Sequence, residues 1–289
     1  MNVLELRLKS RHLHLRDGVT VLLPAPGMGS APEDFYRPGK KYPVLWLLHG
    51  ATGDHETFLY DEQILDALRG RQCMVVLPSG LNSDYANHME FSNGYAFSDY
   101  FFQELMPYIQ RMFPASPAPE DNTLAGYSMG GSGALMLGLH RPELFGQVAV
   151  LGASPRESAF LQPYRTLTGE QFRAMAMADP KRLPTEYGDP AGGIQLKEIN
   201  MIARYPTVQA YVDSMECTWE RFAERVRSGT LPKLLFCCGQ EDGAYEKVER
   251  FRAYAESLGA ADIRYEYLPG LDHGASPAVI RRAVELLNL

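Results

Sequence analysis

Short apolar runs, each followed by a segment of helical periodicity, recur along most of this chain of 289 residues. The runs are rich in β-branched and aromatic residues and mostly lack polar alternation, which is typical of strands buried on both faces of a sheet. Because strands that alternate with helices form a mostly parallel sheet with helices on both faces, the pattern predicts an α/β fold. We predict such strands at 42–48, 73–77, 122–125, 148–151, 234–238 and 263–268.

The N-terminal residues follow a different pattern. Residues 2–8 and 11–22 alternate apolar and polar side chains and are bounded by Asp17-Gly18, which predicts antiparallel strands near a sheet edge. The prolines and glycines of residues 24–41 predict a loop. Helical patterns follow at 58–69, 98–112, 129–140, 244–258 and 277–287.

Residues 155–231 interrupt the alternation, because they contain helical stretches at 169–178 and 208–228 but no convincing buried strand. A segment of this length is too long for an ordinary connection between two strands. We therefore predict one domain over residues 1–289, with a helical cap at about 155–231 above the carboxyl edge of the sheet. The aromatic residues of this cap are candidate pocket residues, or else form its own small core: Phe160, Tyr164, Trp219 and Phe222.

Charge and composition exclude several classes of function. The net charge is −7 and no run of Lys and Arg is present, so nucleic-acid binding has no electrostatic basis. No stretch approaches the ~18 apolar residues of a membrane helix, and the N-terminus lacks the apolar run of a signal peptide. The four cysteines form no CxxC pair, which favours free thiols in a reducing cytoplasm. No pattern indicates an oligomeric state.

The segment Gly126-Tyr127-Ser128-Met129-Gly130 matches the motif G-x-S-x-G. The motif requires a serine on a sharp turn from strand to helix, with small residues on either side that let the backbone pack closely. A predicted buried strand precedes this turn and a helix of small residues follows it. Although a glycine-rich turn could simply pack a helix on a strand, this context favours Ser128 as a nucleophile.

A serine nucleophile needs a base and an acid that orients it, and in α/β-hydrolase folds they follow in the order Ser, acid, His. Of the seven histidines, only His140 and His273 follow Ser128. His140 lies at the far end of the helix, about 18 Å away at 1.5 Å per residue, so His273 is the predicted base. Asp242 is the predicted acid because it follows the strand 234–238, with Glu241 and Asp272 as rivals.

Two backbone N–H groups are predicted to stabilise the oxyanion of an acyl-transfer intermediate. One belongs to Met129, at the N-terminus of the helix after the serine. The other should come from the loop after the first buried strand, and we assign it to Ala51. His49, in the same loop, is then predicted to be structural.

Around these predicted site residues, the chain resembles the putative-esterase family, which includes tributyrin esterases, feruloyl esterases, S-formylglutathione hydrolases and mycolyltransferases. The resemblance covers about residues 1–289 apart from the insertion, and the small bacterial tributyrin-esterase-like members are the most similar. It implies an α/β-hydrolase fold, a triad of Ser128, Asp242 and His273, and an oxyanion hole at Ala51 and Met129. The similar segments are VLWLLHGATGDHETF (44–58), VVLPSG (75–80), Phe101, Phe102 and Glu104-Leu105 of one helix, GYSMGG (126–131) and CGQEDGAYE (238–246).

The function expected from these residues is hydrolysis of short-chain or aryl carboxylic esters, including acetylated or feruloylated sugars, through an acyl-serine. A thioesterase of the S-formylglutathione hydrolase type and a non-catalytic binding protein on the same scaffold remain alternatives. Neither a metal nor a cofactor is expected, and the partner is a small ester. Relatives often have His-x-Trp at the catalytic histidine, whereas Gly-Ala-Ser-Pro follows His273, so the substrate stays open. Tyr127 and Trp219 are the predicted substrate contacts.

Overall fold

The computed structural model of the protein describes residues 1–90, 93–179, 196–260 and 262–289. Eight of its strands form one sheet in the order β1-β2-β4-β3-β7-β8-β9-β10. β1 pairs antiparallel with β2 and β2 with β4, while the other pairs of neighbours in this sheet are parallel. The strands are β1 (Asn2–Lys9), β2 (Arg16–Leu23), β3 (Val44–Leu48), β4 (Met74–Pro78), β7 (Asn122–Tyr127), β8 (Gln147–Leu151), β9 (Lys233–Gly239) and β10 (Ile263–Leu268). The predicted α/β fold is confirmed.

Helices cover both faces of the sheet. Each strand sends alternate side chains to opposite faces, so Trp46 of β3 packs in one core and Leu47 in the other. This two-sided burial explains why the central strands are continuous apolar runs. The helices are α1 (Pro32–Phe35), α2 (Glu62–Leu68), α3 (Phe97–Tyr100), α4 (Met106–Met112), α5 (Met129–His140), α6 (Gly169–Ala178), α7 (Leu196–Ala203), α8 (Val208–Val212), α9 (Thr218–Ser228), α10 (Tyr245–Ser257) and α11 (Ser276–Leu286).

The N-terminal hairpin differs from its prediction, because β2 begins at Arg16 and not at residue 11. The hydroxyl of Ser10 accepts hydrogen bonds from the N–H groups of His12 and Leu13, which bends the chain there. Asp17-Gly18 does not bound a turn, since both residues pair with β1 inside the strand. The predicted loop 24–41 contains the short helix α1, and a small hairpin of β5 (Asn87–His88) and β6 (Tyr95–Ala96) was not predicted.

The described parts of the chain between β8 and β9 consist of helices joined by loops. Residues of α6, α7 and α8 share an apolar cluster of their own, in which Phe172 and Tyr211 are buried. In contrast, Phe222 of α9 belongs to the core on one face of the sheet. The predicted cap at about 155–231 includes residues 180–195, which lie outside the described residues. No helix in the described part of the chain has the length and apolarity that a membrane span requires.

Candidate active site

Ser128 occupies the turn between β7 and α5 and has φ 55° and ψ −118°. L-residues rarely adopt positive φ, and such a backbone conformation costs about 1–3 kcal/mol unless its surroundings enforce it. The N–H of Ser128 donates to the carbonyl of Leu151 on the neighbouring strand at 2.8 Å, and the N–H of Ser132 donates to the carbonyl of Ser128 at 3.0 Å. These bonds hold the strained turn between the sheet and the helix.

The glycines on either side of Ser128 are required by close backbone packing. A Cβ at Gly126 would lie 2.2 Å from the carbonyl oxygen of Gly130. A Cβ at Gly130 would lie 2.2 Å from the carbonyl oxygen of Leu48 at the end of β3. Backbone atoms cannot move aside as a flexible side chain can, so the motif reflects the packing of α5 on β3 and β7.

The fold brings Ser128, His273 and Asp242 into one hydrogen-bonded chain. His273 lies in the loop after β10, and its Nε2 is 2.9 Å from the Oγ of Ser128. Its Nδ1 is 2.9 Å from Oδ2 of Asp242, which follows β9. The other carboxylate oxygen of Asp242 accepts the N–H of Ala244 at 2.8 Å. A carboxylate on Nδ1 selects the tautomer in which Nε2 can accept a proton from Ser128.

Burial, hydrogen bonds and nearby charges shift the pKa values of Asp242 and His273. Burial alone would raise the pKa of Asp242, but the hydrogen bonds from His273 and the Ala244 N–H outweigh it and hold that pKa below its ordinary value. The pKa of His273 is raised above its ordinary value, chiefly by its hydrogen bond to Asp242. The Asp242 side chain is 2% exposed and that of His273 is 52% exposed, so the imidazole faces the solvent and the carboxylate does not.

The rival residues lie elsewhere. The carboxylate of Asp272 accepts the N–H of Gly274 at 2.9 Å, within its own loop. Glu241 is exposed. His140 ends α5, where its ring lies 6.1 Å from that of Phe102.

Ala51 and Met129, the two predicted oxyanion donors, both line the cavity at Ser128. Met129 is the first residue of α5, where backbone N–H groups have no partner within the helix. Beside Ala51, the His49 ring joins two loops, because its Nε2 accepts the N–H of Gly80 at 2.8 Å and its Nδ1 lies 2.6 Å from the Gly50 carbonyl. Burial lowers the pKa of His49, which favours the neutral ring that both hydrogen bonds require.

The two predicted substrate contacts are not among the residues that line this cavity. The hydroxyl of Tyr127 donates to the His273 carbonyl at 2.5 Å, and its ring lies 5.3 Å from the imidazole, so Tyr127 supports the loop of the base. Trp219 stacks on Tyr254 at 4.4 Å and contacts Phe251, which puts it in the layer between α9 and α10.

The cavity has a volume of about 640 Å³, and its wall includes several charged side chains. α7 contributes Lys197 and Glu198, and α10 contributes Lys247 and Arg250. Sequence reasoning missed these four residues, because charged side chains on amphipathic helices are usually solvated surface. No group of His, Cys, Asp and Glu within the described ranges could hold a metal ion.

Comparison with known proteins adds to this geometry. The family model described as "Putative esterase" matches residues 28–226. An esterase of Mycobacterium tuberculosis is 32% identical over 41% of this chain and 25% of its own length. The acetyl esterase of Caldicellulosiruptor saccharolyticus is 31% identical over 38% of this chain and 41% of its own. The chain thus matches less than half the length of these curated relatives.

A solved structure with the same fold is the S-formylglutathione hydrolase of Staphylococcus aureus. It superimposes with a TM-score of 0.71 at 23% identity, and the match covers 99% of this chain and 98% of the other.

Proposed function

Since this chain belongs to the "Putative esterase" family, we propose that it is a serine esterase that hydrolyses short-chain or aryl carboxylic esters. The observation that carries the proposal is the hydrogen-bonded chain from Ser128 through His273 to Asp242. The acetyl esterase among its relatives supports acetylated substrates. Feruloylated sugars fit less well, because the cavity-lining residues within the described ranges include no aromatic side chain other than the His273 imidazole.

The first half of the reaction is the acylation of Ser128. As Oγ attacks the ester carbonyl carbon, His273 takes the hydroxyl proton on Nε2, and Asp242 stabilises the imidazolium that forms. The carbonyl oxygen becomes an oxyanion that accepts the N–H groups of Ala51 and Met129. The tetrahedral intermediate then collapses, and the alcohol leaves with the proton from His273.

The second half is the hydrolysis of the acyl-serine. Water replaces the alcohol beside His273, which takes its proton as the oxygen attacks the acyl carbon. The same N–H groups hold the second oxyanion, and the proton returns to Oγ of Ser128 as the acid leaves. His273 takes part in every proton transfer of this scheme.

A thioesterase of the S-formylglutathione hydrolase type is the second candidate, favoured by the structural match to that enzyme. Both functions use the same triad, so substrate turnover must separate them. We expect kcat/KM for p-nitrophenyl acetate to exceed that for S-formylglutathione by at least about tenfold, which corresponds to ~1.4 kcal/mol. The opposite order would make the thioester the preferred substrate, and no turnover of either would favour a binding protein.

Activity should depend on pH through His273. Its raised pKa means that the imidazole stays protonated to higher pH, and in that form Nε2 cannot accept the proton of Ser128. We therefore expect kcat/KM to be low in acid and to rise to a plateau, with a midpoint above the ordinary value of 6.5. A pH-rate profile with p-nitrophenyl acetate, corrected for spontaneous hydrolysis, measures this midpoint. A midpoint below 6.5 would contradict the raised pKa expected for His273.

The remaining features fit a small-molecule enzyme. All four cysteines, Cys73, Cys217, Cys237 and Cys238, are free and buried, which supports a reducing cytoplasmic location. We assign no role to nucleic acid or membrane. We retain the single domain with a cap at about 155–231, and its α7 forms part of the substrate wall.

A further inference from the structure

A second cavity adjoins the one at Ser128. It has a volume of about 400 Å³ and is lined by Asn82, Asp84 and Asn200, among others. Ala51, Met129 and Lys197 line both cavities. The two spaces therefore meet at the proposed oxyanion donors.

The proposed mechanism distinguishes the two cavities. The leaving alcohol must receive a proton from Nε2 of His273, so it occupies the first cavity, which His273 lines. The carbonyl oxygen points at Ala51 and Met129. The acyl group extends from the same carbon away from His273, and the second cavity shares the oxyanion donors but is not lined by His273.

Lys197 is the cation at the junction of the two cavities. Its ammonium donates to Oδ1 of Asp84 at 2.7 Å, yet its side chain is 52% exposed. An ammonium group has three donors, so a bond to Asp84 leaves capacity for an acceptor on a substrate. A hydrocarbon acyl chain would make no use of this ammonium group, whereas an anionic group would gain a charge-assisted hydrogen bond.

A buried ionic network fixes this lysine in place. The Asp84 side chain is 7% exposed and also pairs with Nη2 of Arg156 at 3.3 Å, and the Arg156 side chain is 1% exposed. Arg156 also lies 3.8 Å from the carboxylate of Glu216, so Lys197 and Asp84 belong to a larger ionic network in which Lys197 is a half-exposed cation. The other carboxylate of the second cavity, Glu90, lies 3.4 Å from Nδ1 of His88.

We propose that the second cavity binds the acyl group of the substrate and that Lys197 selects acyl groups that carry a carboxylate. This inference rests on the proposed esterase function and names its substrate class, half-esters of dicarboxylic acids. Lys197 is then a specificity-determining residue that binds the anionic end of the acyl group.

The test compares two esters with one acyl skeleton, monomethyl succinate, which is anionic, and dimethyl succinate, which is neutral. Methanol release gives kcat/KM for each, and the ratio of the two reports recognition of the charge. We expect Lys197→Gln to lower this ratio by about tenfold, the size of one charge-assisted hydrogen bond at a half-exposed group. Lys197→Arg should keep most of the ratio because it keeps the charge.

A second pair of substrates tests whether Lys197 recognises a charge on the acyl group or on the leaving group. The acetate esters of glycolic acid and of glycolamide differ by a charge on the leaving group alone, and Lys197→Gln should change their ratio less than it changes the succinate ratio. Lys233→Gln is the matched control. Lys233 is an exposed lysine at the start of β9, at the amino ends of the parallel strands, whereas Ser128 follows the carboxyl end of β7. It should alter neither ratio.

The outcomes separate this inference from the proposed function. If wild type hydrolyses p-nitrophenyl acetate but Lys197→Gln leaves the succinate ratio unchanged, the inference is wrong and the esterase function stands. The same holds if Lys197→Gln changes the glycolate ratio more than the succinate ratio, or if neither succinate ester is turned over. If wild type hydrolyses none of the five esters, the proposed function fails and the inference fails with it.

Discussion

Replacing Ser128 with alanine should lower kcat for p-nitrophenyl acetate by about 10⁴- to 10⁶-fold. The substitution removes the atom that forms the acyl-enzyme, so water would have to attack the substrate directly. The residual rate would come from the oxyanion donors and from binding alone. Steady-state kinetics with p-nitrophenyl acetate and butyrate measure the loss.

The Ser128→Ala experiment has a matched control in Ser257, which is exposed at the end of α10 and whose hydroxyl donates to the carbonyl of Tyr254. Ser257→Ala deletes the same hydroxyl far from the cavity and should keep wild-type kinetics. Near-wild-type turnover by Ser128→Ala would remove the basis of the proposed mechanism. A trapped acyl group on Ser128 in the wild-type protein, detected by mass spectrometry, would support it directly.

Asp242→Asn should lower kcat by about 10³- to 10⁴-fold, less than the loss of the nucleophile. An amide that donates to Nδ1 of His273 forces the ring proton onto Nε2, which then cannot accept the proton of Ser128. The change also removes the largest cause of the raised His273 pKa, so the midpoint of the pH-rate profile should move down. Kinetics across pH measure both effects.

Asp272→Asn distinguishes the role of Asp242 from a general effect of negative charge beside His273. Asp272 also raises the pKa of His273, but its carboxylate bonds the N–H of Gly274 and not the imidazole. We expect this variant to lose less than about tenfold in kcat, because the tautomer of the base is unaffected. A larger loss in Asp272→Asn than in Asp242→Asn would make Asp272 the acid.

Much of the fold follows from the sequence because its signals are local. The continuous apolar run that ends at Leu48 reflects burial on two faces, and the elbow glycines reflect backbone packing so close that an added Cβ would lie 2.2 Å from a carbonyl oxygen. In contrast, the start of β2 could not be read from alternation. It depends on the hydroxyl of Ser10, which accepts hydrogen bonds from the N–H groups of His12 and Leu13 and so bends the chain after β1.

Local sequence patterns could not predict which residues line the cavity at Ser128. Lys197 and Asp84 are 113 positions apart in the sequence, and neither residue has a neighbourhood that marks it as part of a site. Tyr127 lies beside the nucleophile and was predicted to contact the substrate, yet its hydroxyl bonds the His273 loop. Trp219 was predicted for the same role, but packing with Tyr254 and Phe251 holds it in the core layer.

The sequence by itself determined the α/β architecture, the serine turn and the order of Ser128, Asp242 and His273 along the chain. Each of these depends on residues that are close in sequence or on the succession of strands. Only the tertiary structure decided that Asp242, and not Glu241 or Asp272, contacts the imidazole at 2.9 Å, and that α7 lines the cavity. The physical reason is that hydrogen bonds and cavity walls join side chains from distant segments, and their direction is set by the packing of whole helices and loops.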